Sequence, residues 1–157
     1  MTPDPSLRPK VGLGIVVVRD GKVLIGERTG NHGSGTFMLP GGHLEHGETF
    51  EEGGRREVEE ECGLKNVLIK GVISLGNDRD YGKHYISIGL LAESVEGEPY
   101  DAEPEKSRNW KWYDPKDVPD NVFSPSKKIL RNWINGAFYS DSPEGSDKQA
   151  SSDILSK

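Results

Sequence analysis

Residues 41–64 constrain this chain more than any other segment, because a glycine-rich turn leads directly into one strongly acidic stretch. Thr49 is a favourable N-cap residue, and Glu52 three positions later completes a capping box. Gly63 suits the left-handed conformation that commonly ends a helix. Together these signals predict an acidic helix over residues 50–62.

Several acidic side chains of this helix lie on the face that should pack against the core. At about 100° per residue, four positions form one narrow inward stripe, which consists of Phe50, Gly54, Val58 and Cys62. Glu61 falls inside this stripe, Glu57 lies at its edge, and Glu60 shares their face. Unpaired buried carboxylates are costly, so such groups are normally paired or bind metal, and Arg56 alone cannot neutralise all three. A glutamate run is more often a solvated helix face; the alternative is a site for a hard cation, Mg²⁺ or Mn²⁺.

The spacing of the segment decides between these two interpretations. The residues fit the pattern G-x5-E-x7-R-E-U-x-E-E-x-G-U, in which U is aliphatic. The fixed positions are Gly42, Glu48, Arg56, Glu57, Val58, Glu60, Glu61, Gly63 and Leu64. This pattern is the Nudix box, and the chain therefore resembles a Nudix hydrolase. The resemblance implies an α/β fold, namely the Nudix α/β/α sandwich with a central mixed sheet. It also implies metal-assisted hydrolysis of a nucleoside diphosphate linked to another group.

Length and composition indicate one domain with unstructured ends. The chain has 157 residues, which is enough for one proper core. We assign residues 10–139 to the Nudix domain and residues 1–9 to a flexible, proline-rich N-terminus. Residues 140–157 are rich in serine, aspartate and glycine, and they predict a disordered tail.

Charge, hydropathy and cysteine content exclude several classes of partner. The formal net charge of −6 argues against binding a nucleic acid polymer. No apolar run approaches the roughly 18 residues of a membrane span, so no membrane partner is expected. Cys62 is the only cysteine, which excludes an internal disulfide and favours a reducing, cytoplasmic location.

Apolar and alternating patterns predict the remaining elements. Strands are expected over residues 11–18, 22–28, 36–39, 66–75 and 84–94, and around Trp110-Lys111-Trp112. Asp20-Gly21 predicts a hairpin turn, and residues 76–82 predict a mobile loop. A second helix should begin with Ser124 as its cap and Pro125 in its first turn, and should end at Gly136.

The resemblance implies roles for the residues of the box. In related Nudix enzymes the residue that matches Gly42 supplies a backbone carbonyl to the metal site. Glu48 would bind a further metal or orient Arg56, and Arg56 would orient the glutamates by charge-assisted hydrogen bonds. The implied metal ligands, which are also the catalytic glutamates, are Glu57, Glu60 and Glu61.

A second resemblance lies outside the box. The Leu-Pro-Gly-Gly-His-Leu-Glu segment and the Glu-Pro-Glu-Lys loop with its nearby W-x-W resemble the MutT-like nucleoside-triphosphate pyrophosphatases of animals and plants. In relatives a glutamate of this loop joins the metal site or acts as a base, which implies Glu105 here, with Glu103 as the alternative. The resemblance covers about residues 10–138. It implies a purine or oxidised purine triphosphate substrate such as dGTP or 8-oxo-dGTP, cleaved to monophosphate and pyrophosphate, and a role in nucleotide pool sanitisation.

Substrate contacts are expected on both sides of the glycine turn. Arg28 ends a predicted strand beside a glycine-rich loop, and His43 follows Gly41-Gly42. Each of the two is either a solvated residue or a phosphate contact. Flat or apolar surface for a base is expected from Phe37, Leu39, Tyr85, Trp110 and Phe138. For Trp110, ordinary core packing is the favoured alternative.

Two rival functions remain open. The first keeps the chemistry but changes the substrate to a nucleotide sugar, ADP-ribose or an isoprenyl diphosphate, because those pockets are built outside the box. The second is a non-catalytic module that senses nucleotides, against which the intact Glu57, Glu60 and Glu61 argue. Related enzymes are often homodimers, so a homodimer is a further expectation.

Overall fold

The computed structural model describes residues 4–30, 34–80 and 82–142. Within these ranges the chain forms eight strands and two α-helices. In order they are β1 (Lys10–Arg19), β2 (Lys22–Arg28), β3 (Phe37–Met38), β4 (Gly41–His43), α1 (Phe50–Cys62), β5 (Leu68–Asp78), β6 (Tyr85–Glu93), β7 (Ser107–Tyr113), α2 (Ser124–Asn135) and β8 (Tyr139–Ser142). Short 3-10 turns occur at Pro5–Leu7 and Pro115–Asp117.

One mixed sheet carries the whole fold. Its strand order is β3-β2-β1-β6-β5-β8. In addition, β4 pairs with β1, and β7 pairs with β2. The β1–β6 pair is parallel, whereas β1–β2 and β5–β6 are antiparallel. The predicted hairpin between β1 and β2 is confirmed, since Asp20 and Gly21 both have positive φ angles, of 50° and 76°.

The two faces of the sheet are covered by one helix each. Residues of β1 alternate between the two cores: Ile15 belongs to the cluster that contains Val58 of α1, and Val16 belongs to the cluster that contains Ile129 of α2. Because successive side chains of a strand point to opposite faces, α1 and α2 lie on opposite sides. The expected α/β/α sandwich with a central mixed sheet is therefore confirmed.

Helix α1 has the predicted bounds and the predicted caps. The Thr49 hydroxyl accepts a hydrogen bond from the Glu52 backbone N–H, and the Glu52 carboxylate accepts one from the Thr49 N–H, both at 3.0 Å. Gly63 ends the helix with a φ of 72°. Two interior glycines let α1 approach the sheet: a Cβ at Gly54 would lie 2.8 Å from Leu90, and one at Gly53 would lie 2.7 Å from Leu13. The sequence pattern leaves Gly53 unexplained, and the close packing against β1 explains it.

Helix α2 begins slightly differently from the prediction. Ser124 is its first residue and Phe123 is its N-cap, which makes no side-chain capping hydrogen bond, so the predicted Ser124 cap is wrong by one position. Gly136 ends the helix as expected, with a φ of 68°. Ile134 is 53% exposed and lies outside the apolar face.

Two segments that were expected to be irregular are strands. Residues 76–78 continue β5, where Gly76 pairs with Ser87 of β6 and with Ser140 of β8. The predicted mobile loop over residues 76–82 is thus corrected for its first part. Residues 140–142 belong to β8 and not to a disordered tail, because β5 offers them a free edge with which to pair. The rest of that tail, residues 143–157, lies outside the described residues, as do residues 1–3 of the N-terminus.

Neither helix in the described part of the chain combines the length and the apolar composition that a membrane span requires.

Candidate functional site

The glycine turn is held against β1 by strand pairing and lies beside α1. In β4, Gly41 pairs with Gly14 and Gly42 pairs with Leu13. The Gly41 N–H donates a hydrogen bond of 3.0 Å to Oε1 of Glu61. A Cβ on Gly42 would lie 2.5–2.7 Å from the three carboxyl atoms of Glu57. The turn needs glycine at Gly41, where a Cβ would lie 2.1 Å from the backbone carbonyl oxygen of Leu13, and a Cβ at Gly42 would displace the Glu57 carboxylate.

Arg56 is the hub of the acidic residues. Its Nε and Nη2 donate to the two oxygens of Glu48 at 2.7 and 2.8 Å, which is a bidentate pair. Its Nη1 donates to Oε1 of Glu57 at 2.8 Å and to Oε2 of Glu60 at 3.4 Å, and Nη2 also donates to the His43 carbonyl at 3.1 Å. The hydrogen bonds from Arg56 lower the pKa of Glu48 to about 2.

Two of the glutamates are buried, and Arg56 pairs directly with one of them, Glu57. Glu57 and Glu61 are 7% and 5% exposed. Burial is the main cause that raises the pKa of Glu61 to about 9, and repulsion by Glu57 adds to it. Burial also raises the pKa of Glu57, although its pairing with Arg56 opposes this effect. In the absence of a bound cation Glu61 therefore keeps a proton at neutral pH, because its own surroundings do not stabilise its negative charge.

The three glutamates of the predicted metal site are not assembled into one cluster. Within residues 4–30, 34–80 and 82–142, no three His, Cys, Asp or Glu side chains form a group ready to hold a metal ion. The Glu60 side chain is 49% exposed, and its carboxylate lies 3.4 Å from Nη1 of Arg56. Glu57, Glu61 and the backbone of Gly42 do lie together, and they are hard oxygen donors of the kind that Mg²⁺ binds.

The loop before β7 contributes Glu103 and not Glu105. Glu103 lines the same groove as the three glutamates, and its negative charge helps to raise the pKa of Glu61. Glu105 is exposed. A turn brings this about, because the Glu103 carbonyl accepts hydrogen bonds from the N–H groups of Lys106 and Ser107 at 2.9 and 3.0 Å. Of the two glutamates, the structure places the alternative, Glu103, in the groove and Glu105 outside it.

Two adjoining depressions form the site. The acidic groove has a volume of about 720 Å³ and is lined by Glu57, Glu60, Glu61, Arg56 and Glu103. The side cavity has a volume of about 340 Å³ and extends between the glycine turn and the start of α2. The residues common to both walls are Arg28, Met38, Gly41, Gly42 and His43.

Four of the predicted substrate contacts line the side cavity. Arg28 lies with its guanidinium 4.0 Å from the centre of the Phe123 ring, which is a cation–π contact. His43 and Tyr85 contact each other, with 3.0 Å between Nε2 and the phenolic oxygen. Leu39 completes the set, held by a hydrogen bond of 3.0 Å from its N–H to the Ser126 hydroxyl.

Three predicted substrate contacts lie elsewhere. Phe37 faces the opposite side of β3 from Met38 and packs in the α2 core. Trp110 is only 6% exposed and packs on Gly26, where a Cβ would lie 2.6–2.7 Å from its ring, so the core interpretation is the correct one. Phe138 follows the far end of α2 and is 50% exposed. Strand alternation and the direction of α2 decide these positions.

Sequence reasoning missed several residues of the side cavity. Phe123 and Met38 line it, and so do Asp78 and Asp80, which pair with Lys128 of α2. One signal was available, because two aspartates at a spacing of two at a strand end share one face. Because residues 76–82 are polar, the sequence predicted a loop where β5 in fact continues to Asp78.

Comparisons with known proteins agree on the family and differ on the substrate. Residues 8–133 match the NUDIX domain. The chain is 36% identical over 134 residues to "ADP-ribose pyrophosphatase" of Methanocaldococcus jannaschii, covering 83% of this chain and 78% of the relative. It is 31% identical to "RNA pyrophosphohydrolase" of Pelagibacter ubique (79% and 92% covered) and 30% identical to "Oxidized purine nucleoside triphosphate hydrolase" of Danio rerio (67% and 66% covered). The crystal structure of a MutT NUDIX hydrolase from Burkholderia pseudomallei superposes with a TM-score of 0.68 at 31% identity, covering 80% of this chain and 98% of that one.

Proposed function

Because this chain belongs to the Nudix family of hydrolases, we propose that it is a Mg²⁺-dependent pyrophosphohydrolase of purine nucleoside triphosphates. The preferred substrates would be (deoxy)nucleoside triphosphates such as dGTP or 8-oxo-dGTP. Hydrolysis adds one water across a phosphoanhydride bond: the water oxygen bonds to phosphorus, and the bridging oxygen leaves with the pyrophosphate. The products are the nucleoside monophosphate and pyrophosphate.

The observation that carries this proposal is the shared wall between the acidic groove and the side cavity. The groove suits a polyphosphate with its cation, and the cavity suits a flat ring. Arg28 and His43 stand at the junction, where the first phosphate after the sugar would lie. One nucleotide would therefore span both depressions, with its base in the cavity and its phosphates in the groove.

The donor set of the groove fits a divalent cation. Glu57, Glu61 and the Gly42 carbonyl would hold the ion, and Glu60 would complete the set once its carboxylate turns away from Arg56. A bound Mg²⁺ supplies a coordinated water of lowered pKa and offsets negative charge on phosphate oxygens. Mn²⁺ prefers the same hard oxygen ligands. Two carboxyl groups buried side by side at Glu57 and Glu61, one of which needs a proton when no cation is bound, support this assignment.

Two other residues of the groove would have different roles, one in proton transfer and one in positioning the carboxylates. Glu103 faces the groove and would accept a proton from the attacking water. Arg56 would act as a positioning residue, since its bonds to Glu48 and Glu57 fix those carboxylates. Its bidentate fork is a geometry that lysine cannot reproduce.

The side cavity supports a purine substrate. Phe123 offers an aromatic face, and Leu39 and Met38 add apolar surface. Stacking of a base on an aromatic ring is worth about 1–3 kcal/mol, and a purine has the larger face. Stacking of this strength explains a preference among bases but not the strict selection of one.

The test is a turnover assay with and without Mg²⁺ across a panel of substrates. The panel contains the common deoxynucleoside triphosphates, 8-oxo-dGTP, ADP-ribose, a nucleotide sugar, an isoprenyl diphosphate and a 5′-triphosphorylated RNA, with products separated by chromatography. We expect monophosphate and pyrophosphate from purine triphosphates at the highest kcat/KM. The Glu61→Gln variant controls for contaminating phosphatases.

The rival substrate with a specific observation in its favour is ADP-ribose, because one relative carries that activity in its name. If ADP-ribose or a nucleotide sugar is turned over faster than every triphosphate, the triphosphate assignment is wrong. If nothing is turned over while nucleotides bind, the chain is a nucleotide-sensing module.

A further inference from the structure

A further depression, which we call the basic pocket, lies beside the side cavity and has a volume of about 450 Å³. Four of the described residues that line it are permanently cationic at neutral pH: Arg8, Lys10, Arg79 and Lys83. No aspartate or glutamate is among its described lining residues. This sign is opposite to that of the chain as a whole, whose formal net charge is −6. The basic pocket is therefore a local region of positive potential that attracts anions.

Two segments build the basic pocket around the start of β1. Arg8 and Lys10 stand at the first residues of that strand, and Arg79 and Lys83 belong to the connection between β5 and β6. Strand pairing joins the two segments, because Lys10 pairs in register with Tyr85 of β6. The sheet therefore holds these cations close to one another.

Most of this positive charge has no acidic partner. Arg79 pairs with Asp141 of β8, with 3.0 Å between Nη2 and Oδ1. Arg8, Lys10 and Lys83 are exposed, and none of the three forms an ion pair with an acidic residue of the described ranges. Because like charges repel one another, a bound anion would stabilise this arrangement.

The basic pocket adjoins the place where the nucleotide is proposed to bind. Tyr85 and Lys83 line both the basic pocket and the side cavity. Tyr85 also contacts His43, which stands at the junction of the cavity and the acidic groove. Neighbouring strands are about 4.8 Å apart, so Lys10 lies one strand spacing beyond Tyr85. The groove and the basic pocket share none of their described lining residues, so a sugar beside His43 would have them on different sides.

We propose that the basic pocket binds a second phosphate group of the substrate, carried on the 3′-oxygen of its ribose, an inference that rests on the proposed nucleotide hydrolase function. The 5′-triphosphate would lie in the acidic groove together with its cation. The basic pocket offers no carboxylate to a cation, and its ammonium and guanidinium groups would contact the 3′-phosphate directly. Two kinds of substrate carry this group: a free nucleotide with a 3′-phosphate ester, and a dinucleotide joined through a 3′-phosphodiester.

The experiment compares GTP with guanosine 5′-triphosphate 3′-phosphate, which differs from GTP only by the added phosphate. One exposed ion pair changes affinity by about twofold to fivefold, so three of them predict an advantage in kcat/KM of about tenfold to a hundredfold. The advantage should shrink as the ionic strength rises, because exposed charges are screened by salt.

Two triple variants locate the origin of this advantage. The test variant replaces three cations of the basic pocket: Arg8→Gln, Lys10→Gln and Lys83→Gln. The control removes the same charge from three exposed positions outside the basic pocket: Lys22→Gln, Lys65→Gln and Lys116→Gln. Arg79 is retained because its pair with Asp141 joins β8 to the end of β5. The advantage should fall below about threefold in the test variant and should stay unchanged in the control, and thermal melts verify that both variants fold.

The outcomes separate this inference from the proposed function. Equal kcat/KM for the two substrates in wild-type protein overturns the inference and leaves the proposed function standing, and so does an advantage that the test variant keeps. Absence of turnover with every nucleoside triphosphate overturns the proposed function itself. Loss of the advantage in the test variant but not in the control supports the inference.

A third substrate, the 5′-triphosphorylated dinucleotide pppGpG, distinguishes the two sources of the 3′-phosphate. An equal advantage of the dinucleotide over GTP supports a pocket that accepts the diester as well as the monoester. An advantage confined to the monoester supports a free 3′-phosphorylated nucleotide as the substrate.

Discussion

Replacing the buried Glu61 by glutamine should stabilise the metal-free protein at neutral pH while abolishing hydrolysis. Burial raises the pKa of Glu61 to about 9 from an ordinary value of 4.5, so the folded protein binds a proton that the unfolded chain releases. Stability therefore falls as the pH rises from about 4.5 to 9, by about 1.4 kcal/mol per pH unit. At pH 7.5 this loss reaches about 4 kcal/mol, and glutamine, which does not titrate, avoids it.

Glutamine is also a suitable substitute in shape and hydrogen bonding. Its carbonyl can accept the hydrogen bond from the Gly41 N–H, and its amide can donate to Glu57 as the protonated carboxyl does. The two proteins should therefore be equally stable near pH 4.5. Above that pH the Glu61→Gln variant should become the more stable, by about 4 kcal/mol at pH 7.5 and about 5 kcal/mol at pH 8.5, with an unchanged circular dichroism spectrum.

The assay is urea unfolding in a chelating buffer from pH 4.5 to 8.5, repeated with Mg²⁺. The control is Glu59→Gln, which removes the same charge from an exposed position of α1 and should leave the pH dependence as in the wild type. Mg²⁺ should raise the stability of the wild type and of Glu59→Gln but not of Glu61→Gln. Parallel stability curves for Glu61→Gln and wild type in chelator would refute the argument from burial. Full hydrolytic activity of Glu61→Gln would refute the assignment of the box.

Three further predictions concern the loop, the cavity and the C-terminal strand. Glu103→Gln should lower kcat by about a hundredfold or more with little change in KM, whereas Glu105→Gln should keep wild-type kinetics; the reverse result would restore the original expectation for the loop. Phe123→Ala should raise KM for purine triphosphates by about tenfold to a hundredfold through lost stacking, and unchanged KM would remove Phe123 from the binding site. Truncation after Ser142 should leave the melting temperature within about two degrees, whereas truncation after Ala137 removes β8 and the 2.8 Å hydrogen bond to Leu75, and should lower it by several degrees. Equal melting temperatures of the two truncated proteins would show that β8 adds no stability.

The acidic helix was predictable because its signals are local. The Thr49–Glu52 capping box and Gly63 act within one or two turns, and the structure reproduces the bounds Phe50–Cys62 from them. The same holds for the hairpin at Asp20-Gly21, whose two residues adopt the positive φ angles that its turn requires. In such segments the residues that decide the conformation are close in sequence, so the pattern contains the answer.

The spacing of the fixed residues in the box indicated the Nudix family, and the resemblance to that family in turn implied the α/β/α sandwich. Nine fixed positions of residues 42–64 specify the Nudix box, and the match over residues 8–133 confirms this. The apolar residues of β1 fall on both of its alternating faces, which is typical of a strand covered on both sides.

The details of the site depended on long-range contacts. Glu103 replaces Glu105 in the groove because a turn far along the chain orients it beside Glu61. Trp110 belongs to the core because β7 pairs with β2 and sets its ring on Gly26. The residues next to Glu103 and Trp110 in the sequence do not predict these two positions. Strand register, for example, is determined by partner strands that are distant in sequence.

The ion pairs in the wall of the side cavity show most clearly what the sequence does not predict and the tertiary structure decides. The sequence by itself contains Asp78, Asp80 and Lys128 as ordinary polar residues of a loop and a helix. Only the packing of α2 on the sheet brings the ammonium within 3.1 Å of both carboxylates and removes water from around them. Burial is a property of the whole fold and not of a segment, so the tertiary structure alone turns these charges into a buried ion-pair cluster in the wall of the side cavity.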